Sequence, residues 1–364
     1  MLTTCARHYL DWANTYEPGT ETIDGVAVHR LPVRRPRDLR IFGDLSGRVF
    51  GNDRSAPFQM QHEWMRQQGP DVPELVPWLQ ERAWTYDVAV FFTYLYKVTF
   101  DGLPVAARLV PTVLHPTAHD EPALYLDLFD FVLRQPHAFA CSTEEEAALI
   151  GRRRRSVAPT SVVGIGVDLD FTGDETSFRT AYGLGDRPYL LVVGRVDPHK
   201  GSQELYDFFV AYKQRHEGEL ALVVLGEQVT DLEPHPDVVL TGFVDDVARR
   251  GALAGAWAVV VPSYFESFSM VLSEAWAARK PVLVQGRSDV LTGQARRSGG
   301  GIPYTGFAEF EAAVEILAED GGLGRSLGLA GRRYVEDRYD WEHVLDRYER
   351  QLMVVGRSWY SSTR

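Results

Sequence analysis

The chain has 364 residues, which at ordinary domain sizes predicts about two domains. Hydrophobic residues make up 45%, charged residues 24% and aromatics 12%, a balance that excludes disorder, a collagen-like repeat and a small disulfide scaffold. Lys and Arg number 38 against 50 Asp and Glu; a net charge of −12 leaves no surplus of cations to displace phosphate counterions, so no nucleic-acid partner is expected.

The two cysteines, Cys5 and Cys141, form no framework, which predicts a reducing compartment. Residues 1–8 lack the apolar core of a signal peptide, and the longest apolar stretch, Ala252 to Phe265, falls short of the roughly 20 residues that span a bilayer. The expected location is therefore the cytoplasm.

Residues 1–80 read as irregular, with a strand-like Val26–Leu31, an arginine cluster (Arg34, Arg35, Arg37, Arg40) and an amphipathic stretch near Glu63–Gln67. Apolar runs at Asp87–Phe92 and Leu109–Leu114 predict buried parallel strands. Ala138–Cys141 predicts another, and Ser142-Thr-Glu-Glu-Glu146 the acid-rich, capped start of a helix. Val162–Asp168 reads as a strand running into glycines, then a loop. From about residue 187 the alternation is regular. Strands are predicted at Tyr189–Val193, Leu220–Leu225, Val238–Leu240, Ala258–Val261 and Pro281–Val284, with helices at Ser202–Arg215, about Met270–Ala278, and Trp341 to about Val355. Such alternation implies βαβ units and parallel sheets, an α/β fold. The boundary lies near residues 164–186; domains 1–165 and 166–340 follow, with 341–364 packing back on the first.

In open parallel sheets, ligands sit beyond the carboxyl ends of the strands. Two segments there carry chemistry. Gly194-Arg195-Val-Asp-Pro-His-Lys200-Gly201 follows a strand and precedes a helix, and offers a planar fork and a point charge suited to phosphate oxygens. Taken alone it is equally a solvated turn, and it lacks the P-loop pattern. Glu266-Ser-Phe-Ser-Met-Val-Leu-Ser-Glu274 follows the next predicted strand end. At 100° per residue, eight positions return to one helix face, so both carboxylates are expected to look into one cleft. Between them, a helix start near Ser269–Val271 offers free N–H groups to an anion.

Together these motifs resemble the family 4 retaining glycosyltransferases, over roughly residues 85–350 and most strongly over 187–305. Val163-Gly-Ile-Gly-Val-Asp168 is similar to the family's interdomain turn, Val239-Leu-Thr-Gly-Phe-Val244 to its base-contacting strand and loop, and Glu266–Glu274 to its paired-glutamate motif. The resemblance implies the GT-B fold, two facing Rossmann-like domains. It implies that Arg195 and Lys200, with Gly194, neutralise a leaving nucleoside diphosphate, and that Glu266 holds the donor sugar near its reacting carbon. Glu274 would meet the ribose and Phe243 the base, while Ser269, Met270 and Val271 would hold a phosphate. In the first domain it implies a cleft histidine, taken as His119 rather than His115 because His119-Asp-Glu-Pro122 is the more family-like sequence. The expected partner is a nucleoside-diphosphate sugar, with an unidentified acceptor, no cofactor and no metal. Asp168-Leu-Asp170 is accounted for by the interdomain turn.

The pattern departs from the family in four places. Ser267 and Ser269 stand where glycines are usual, and Arg279 stands where Ala-x-Gly-x-Pro-Val has its glycine. The family's first strand and Gly-Gly loop would precede Met1, so the first domain is expected to lack its first strand. The rival reading is accordingly a nucleotide-binding scaffold relative without turnover; a third is a sugar-nucleotide epimerase. Arg152–Arg155 offers a weak contact to the inner face of a membrane, or simply a solvated segment. The glycine-rich Arg296–Gly301 reads as a donor-pocket loop or a plain turn.

Overall fold

Strands that read as unbroken Val, Leu and Ala can be hidden only in sheets covered on both faces. The computed structural model describes residues 1–51, 56–153, 158–197 and 200–362, and the elements below are those of the described residues. The chain divides into two units, Met1–Val163 with Tyr348–Arg364, and Gly164–Arg347.

Unit 1 opens with β1 (Leu2–Thr4), β2 (Gly19–Ile23) and β3 (Val26–Leu31). β1 pairs parallel and β2 antiparallel with β3, giving a three-stranded sheet. The β2–β3 turn is Asp24-Gly25, both at positive φ (49° and 80°), the conformation that a two-residue hairpin of this twist requires. Next come α1 (Leu39–Phe50), capped by the Asp38 carboxylate, α2 (Phe58–Gln68) and α3 (Leu75–Arg82). Residues 1–80 are therefore not irregular. Their order escapes a periodicity reading because β2 (GTETI) is exposed at every position and has no buried face to mark it.

The second sheet of unit 1 holds β4 (Ala89–Phe92), β5 (Thr112–His115), β6 (Ala138–Cys141) and β7 (Thr160–Val162) side by side and parallel. Between them run α4 (Lys97–Ala106), α5 (Asp127–Val132) and α6 (Glu144–Arg153). β5 starts later than its apolar run because the backbone N–H groups of Leu109 and Val110 both donate to Ala106 at the end of α4. β7 ends, rather than begins, at Val162.

Unit 2 contains α7 (Glu175–Ala181), β8 (Tyr189–Val193), α8 (Ser202–Arg215), β9 (Ala221–Leu225), β10 (Val238–Gly242), α9 (Asp246–Gly255), β11 (Ala258–Val261), α10 (Met270–Ala277), β12 (Val282–Gln285), α11 (Asp289–Ser298), β13 (Gly301–Tyr304), α12 (Phe307–Glu319) and α13 (Gly321–Tyr339). Its six strands are all parallel, in the order β10-β9-β8-β11-β12-β13. One face packs on Leu253, Leu272 and Trp276, the other on Phe209, Phe310 and Val314. The chain enters at the centre on β8, builds outwards through β9 and β10, then crosses to β11 and builds the other way. The switch point lies between β8 and β11, where ligands of doubly wound sheets bind.

The glycine-rich 299–301 segment is a packing device. Gly299 caps α11 in the left-handed region, and the Gly300 carbonyl accepts from Trp276 Nε1 at 3.0 Å. A Cβ on Gly300 would strike Trp276 and the Gly331 backbone.

The last helix, α14 (Trp341–Ser362), supplies residues to both units. In unit 1, Val355 packs with Val113, Ala138, Ala140 and Val163, and Gln351 Nε2 donates to the Phe139 carbonyl at 2.8 Å.

Candidate functional site

The loops leaving β8 and β11 lie against each other at the switch point of unit 2. Gly194, at φ +141°, turns the chain out of β8. Gly201 opens α8 at φ +69°, and a Cβ there would run into the Pro262 carbonyl oxygen, so only glycine lets the two loops approach this closely. Side chains tie the same loops together. Lys200 Nζ donates to Glu266 Oε1 at 3.0 Å, and Tyr264 Oη donates to Glu204 Oε2 at 2.8 Å, where Gln285 Nε2 also donates at 3.2 Å. Arg195 lies 3.9 Å from Asp197, and its carbonyl accepts from Ser202 Oγ at 3.3 Å. Pro198 and His199 lie outside the described residues.

Ser269 turns the β11 loop into α10. It stands at φ +72°, ψ 90°, a glycine conformation held by a serine, and its Oγ accepts the Leu272 N–H at 3.5 Å. Phe268 beside it is buried against Tyr339, and Gln294 Nε2 donates to the Phe268 carbonyl. The N–H groups of Met270 and Val271, in the first turn of α10, have no helical carbonyl to meet, and the positive end of the helix dipole points the same way. The switch point thus gathers Arg195, Lys200 and a helix start, all suited to an anion.

Glu266 and Glu274 are not displayed on one helix face. α10 begins only at Met270, and the positive-φ residue Ser269 interrupts helical periodicity between the two glutamates. Each instead meets its own cation: Glu266 meets Lys200, whereas Glu274 is bonded to Arg249 of α9. Burial raises the Glu274 carboxyl above its usual range, and the Arg249 guanidinium pulls it back. Arg249 also bonds Asp246, one turn earlier on its own helix. Phe243, directly after β10, is 87% exposed and presents its ring to solvent.

In unit 1, His119 follows β5, with Nδ1 3.9 Å from Glu121 Oε1, which accepts from the buried Tyr94 hydroxyl at 2.8 Å. Glu146, fully buried, accepts the N–H groups of Ala118 at 2.7 Å and Ser142 at 2.6 Å and so anchors that loop to the start of α6. Burial pushes its carboxyl up to about 7, against the pull of those donors. His115 is half-buried and stacked on Phe92 at 4.6 Å, and desolvation holds it down to about 4. Arg153, part of the expected basic patch, is taken up by Asp130 at 2.6 Å; Arg154 and Arg155 lie outside the described residues. Among the described residues, no helix is long and apolar enough to cross a membrane.

Residues 174–297, which hold the whole of this switch-point arrangement, match the family described as Glycosyl transferases group 1. Over that segment of unit 2 the chain is similar to the group 1 glycosyltransferases. It is 30% identical over 225 residues to a D-inositol 3-phosphate glycosyltransferase of Kribbella flavida, covering 55% of this chain and 52% of that one. It is 28% identical over 275 residues to a GDP-mannose-dependent alpha-(1-6)-phosphatidylinositol monomannoside mannosyltransferase of Mycolicibacterium smegmatis, covering 68% and 65%. The chain thus spans about half the length of the first of these relatives. Among solved structures, sucrose-phosphate synthase from Thermosynechococcus elongatus superposes with a TM-score of 0.66 at 17% identity, over 93% of this chain and 87% of that one. Anabaena HepE, solved with UDP and glucose, gives 0.64 at 15% identity, over 93% and 86%. The fold is GT-B.

Three residues that hold the site together carried no motif in the sequence: Arg249, Gln294 and Glu204. The available signal for Arg249 was its place one turn into the helix that follows Phe243.

Proposed function

We propose that this chain transfers a sugar from a nucleoside-diphosphate sugar to an acceptor, with retention at the anomeric carbon. The observation that carries the reading is the convergence, at one switch point, of Arg195, Lys200, the α10 start and two glutamates on separate cations. Arg195, Lys200 and the first-turn N–H groups of α10 meet the diphosphate and stabilise the charge it gains as the glycosidic bond breaks. Such fixed donors need no reorganisation at the moment of reaction, and the reading draws on no metal. Glu266, held by Lys200, orients the donor sugar; Glu274 accepts from the ribose hydroxyls; Phe243 offers its exposed ring to the base. His119, beside Glu121, is the group of unit 1 assigned to the reacting sugar. The relatives named above include enzymes of inositol phosphate and phosphatidylinositol mannoside acceptors, which supports a polyol or glycan hydroxyl as the acceptor class.

The test is a thermal-shift panel of UDP, GDP, ADP and their common sugar conjugates, without added metal. A ligand at about 100 times its dissociation constant adds about 2.7 kcal/mol, enough to move the melting temperature by a few degrees. One base should raise the midpoint, and Arg195→Ala should abolish the rise. No response to any nucleotide would overturn the reading. Binding without sugar release or transfer would favour the scaffold alternative.

A further inference from the structure

Glu274 is the only carboxylate of the paired motif that sits inside α10, and its partner comes from elsewhere in the sequence. Arg249 lies on α9, 25 positions earlier, and bonds Glu274 with one arm of its guanidinium and Asp246 with the other. Both side chains of the Arg249–Glu274 pair are about three-quarters buried. A glutamate has three rotatable bonds, and ordering it costs side-chain entropy. A guanidinium fixed at both ends offers a rigid fork that selects one of those rotamers in advance. The same pairing opposes the desolvation that raises the Glu274 carboxyl. Arg249 also shares its segment with the exposed Phe243, which precedes α9 by three residues.

We propose that Arg249 is a positioning residue that presents Glu274 in one orientation to the hydroxyl pair of a ribonucleoside diphosphate. The inference rests on the assignment of Glu274 to the ribose. Arg249 then acts on nucleotide affinity and on the choice of ribose over deoxyribose, and leaves the bond-breaking step alone. A bond that merely knits α9 to α10 would change stability without touching either property.

The experiment measures the dissociation constants of UDP and GDP, and of 2′-deoxy-UDP and 2′-deoxy-GDP, by calorimetry on the full chain. The proteins are wild type, Arg249→Met, Arg249→Lys, Glu274→Gln and the Arg249→Met/Glu274→Gln double variant. Arg249→Met should weaken the bound ribonucleotide about tenfold and its deoxy counterpart much less, with Arg249→Lys recovering part of the loss. In turnover, KM for the donor should rise while kcat stays within about twofold. In the Glu274→Gln background, Arg249→Met should add less than about twofold, because residues that act through one another are not additive. Should Arg249→Met fail to fold, Asp246→Asn loosens the same guanidinium from outside the pair and should give a smaller loss in the same direction. Equal losses in both backgrounds would overturn the inference, as would an unchanged ribose preference. A Glu274→Gln protein with undiminished nucleotide affinity would overturn the ribose assignment and the inference with it. Weakening by Glu274→Gln but none by Arg249→Met would overturn the inference alone.

Discussion

The strand ends of the two units are furnished in opposite ways. In unit 2 the loops and the helices that follow them carry charges in pairs, Lys200 with Glu266 and Arg249 with Glu274, and each pair is at least partly open to solvent. In unit 1 the groups around the β5 loop are desolvated: His115 is held neutral by desolvation, and Glu146 is served by the backbone N–H groups of Ala118 and Ser142 and by the Ser142 side chain. Charge pairs can exchange partners for an arriving anion, whereas desolvated groups hold a backbone in place and respond to pH. The two surfaces therefore differ in kind: the paired charges of one are suited to an anion, and the desolvated groups of the other fix a loop.

The largest effect that would sharpen this contrast is the pH dependence carried by the desolvated groups of unit 1. His115 titrates at about 4 when folded and near 6.5 when unfolded, so the unfolded chain takes up the proton first. Stability from this group is complete above about pH 7 and falls as the pH drops towards 4, by about 3 kcal/mol at 1.36 kcal/mol per unit. Glu146 runs the other way: its folded value is above the unfolded one, so its contribution is lost as the pH rises from about 4.5 to 7. The stability difference between wild type and His115→Asn isolates the first group, and should shrink by about that amount between pH 7.5 and 4 in denaturant melts. A constant difference would break the contrast.

On the charge-paired side, Arg195→Ala or Lys200→Ala should lower kcat/KM by about 10²-fold or more, roughly 2.7 kcal/mol. Losses under about threefold in both would remove the electrostatic role of unit 2. Gly201→Ala tests the close approach of the β8 and β11 loops. Left-handed strain plus the collision with the Pro262 carbonyl should cost about 2 kcal/mol, seen as a lower melting temperature with weaker nucleotide binding. The smallest effect concerns Arg279. It stands at φ +58° after α10, in a turn where the Arg279 N–H donates to Trp276 and the Lys280 N–H to Ala275, the pattern that ordinarily takes glycine. Arg279→Gly should stabilise the protein by about 0.5–1 kcal/mol without changing activity; a loss would mean that the side chain contributes more than the strain costs.

Much of unit 2 was legible because its strands are mostly apolar runs and its helices start at glycine, serine or aspartate; β8, α8 and β11 begin and end where periodicity puts them. The candidate site was legible as residue types but not as geometry. Glu266 and Glu274 were visible eight positions apart, yet the shared helix face inferred from that spacing fails, because Ser269 adopts a backbone conformation that no spacing rule reports. Arg249 was hidden for another reason. In Asp245-Asp-Val-Ala-Arg-Arg250 it reads as one member of a solvated, self-paired helix start, and its tertiary partner is 25 residues away. In unit 1 the β2–β3 hairpin went unread: its Asp24-Gly25 turn is a common hairpin pair, but with β2 exposed throughout there is no hydrophobic alternation beside it.

The path of α14 bears on the order in which the molecule is made. Unit 2 is one uninterrupted stretch, so all of its parts have left the ribosome before residue 348 emerges. Unit 1 is begun first, but the residues that cover its second sheet, Gln351 and Val355, follow the whole of unit 2. During synthesis the first half of the protein therefore waits with an apolar sheet face open, and the segment that closes it arrives only after the other half is complete.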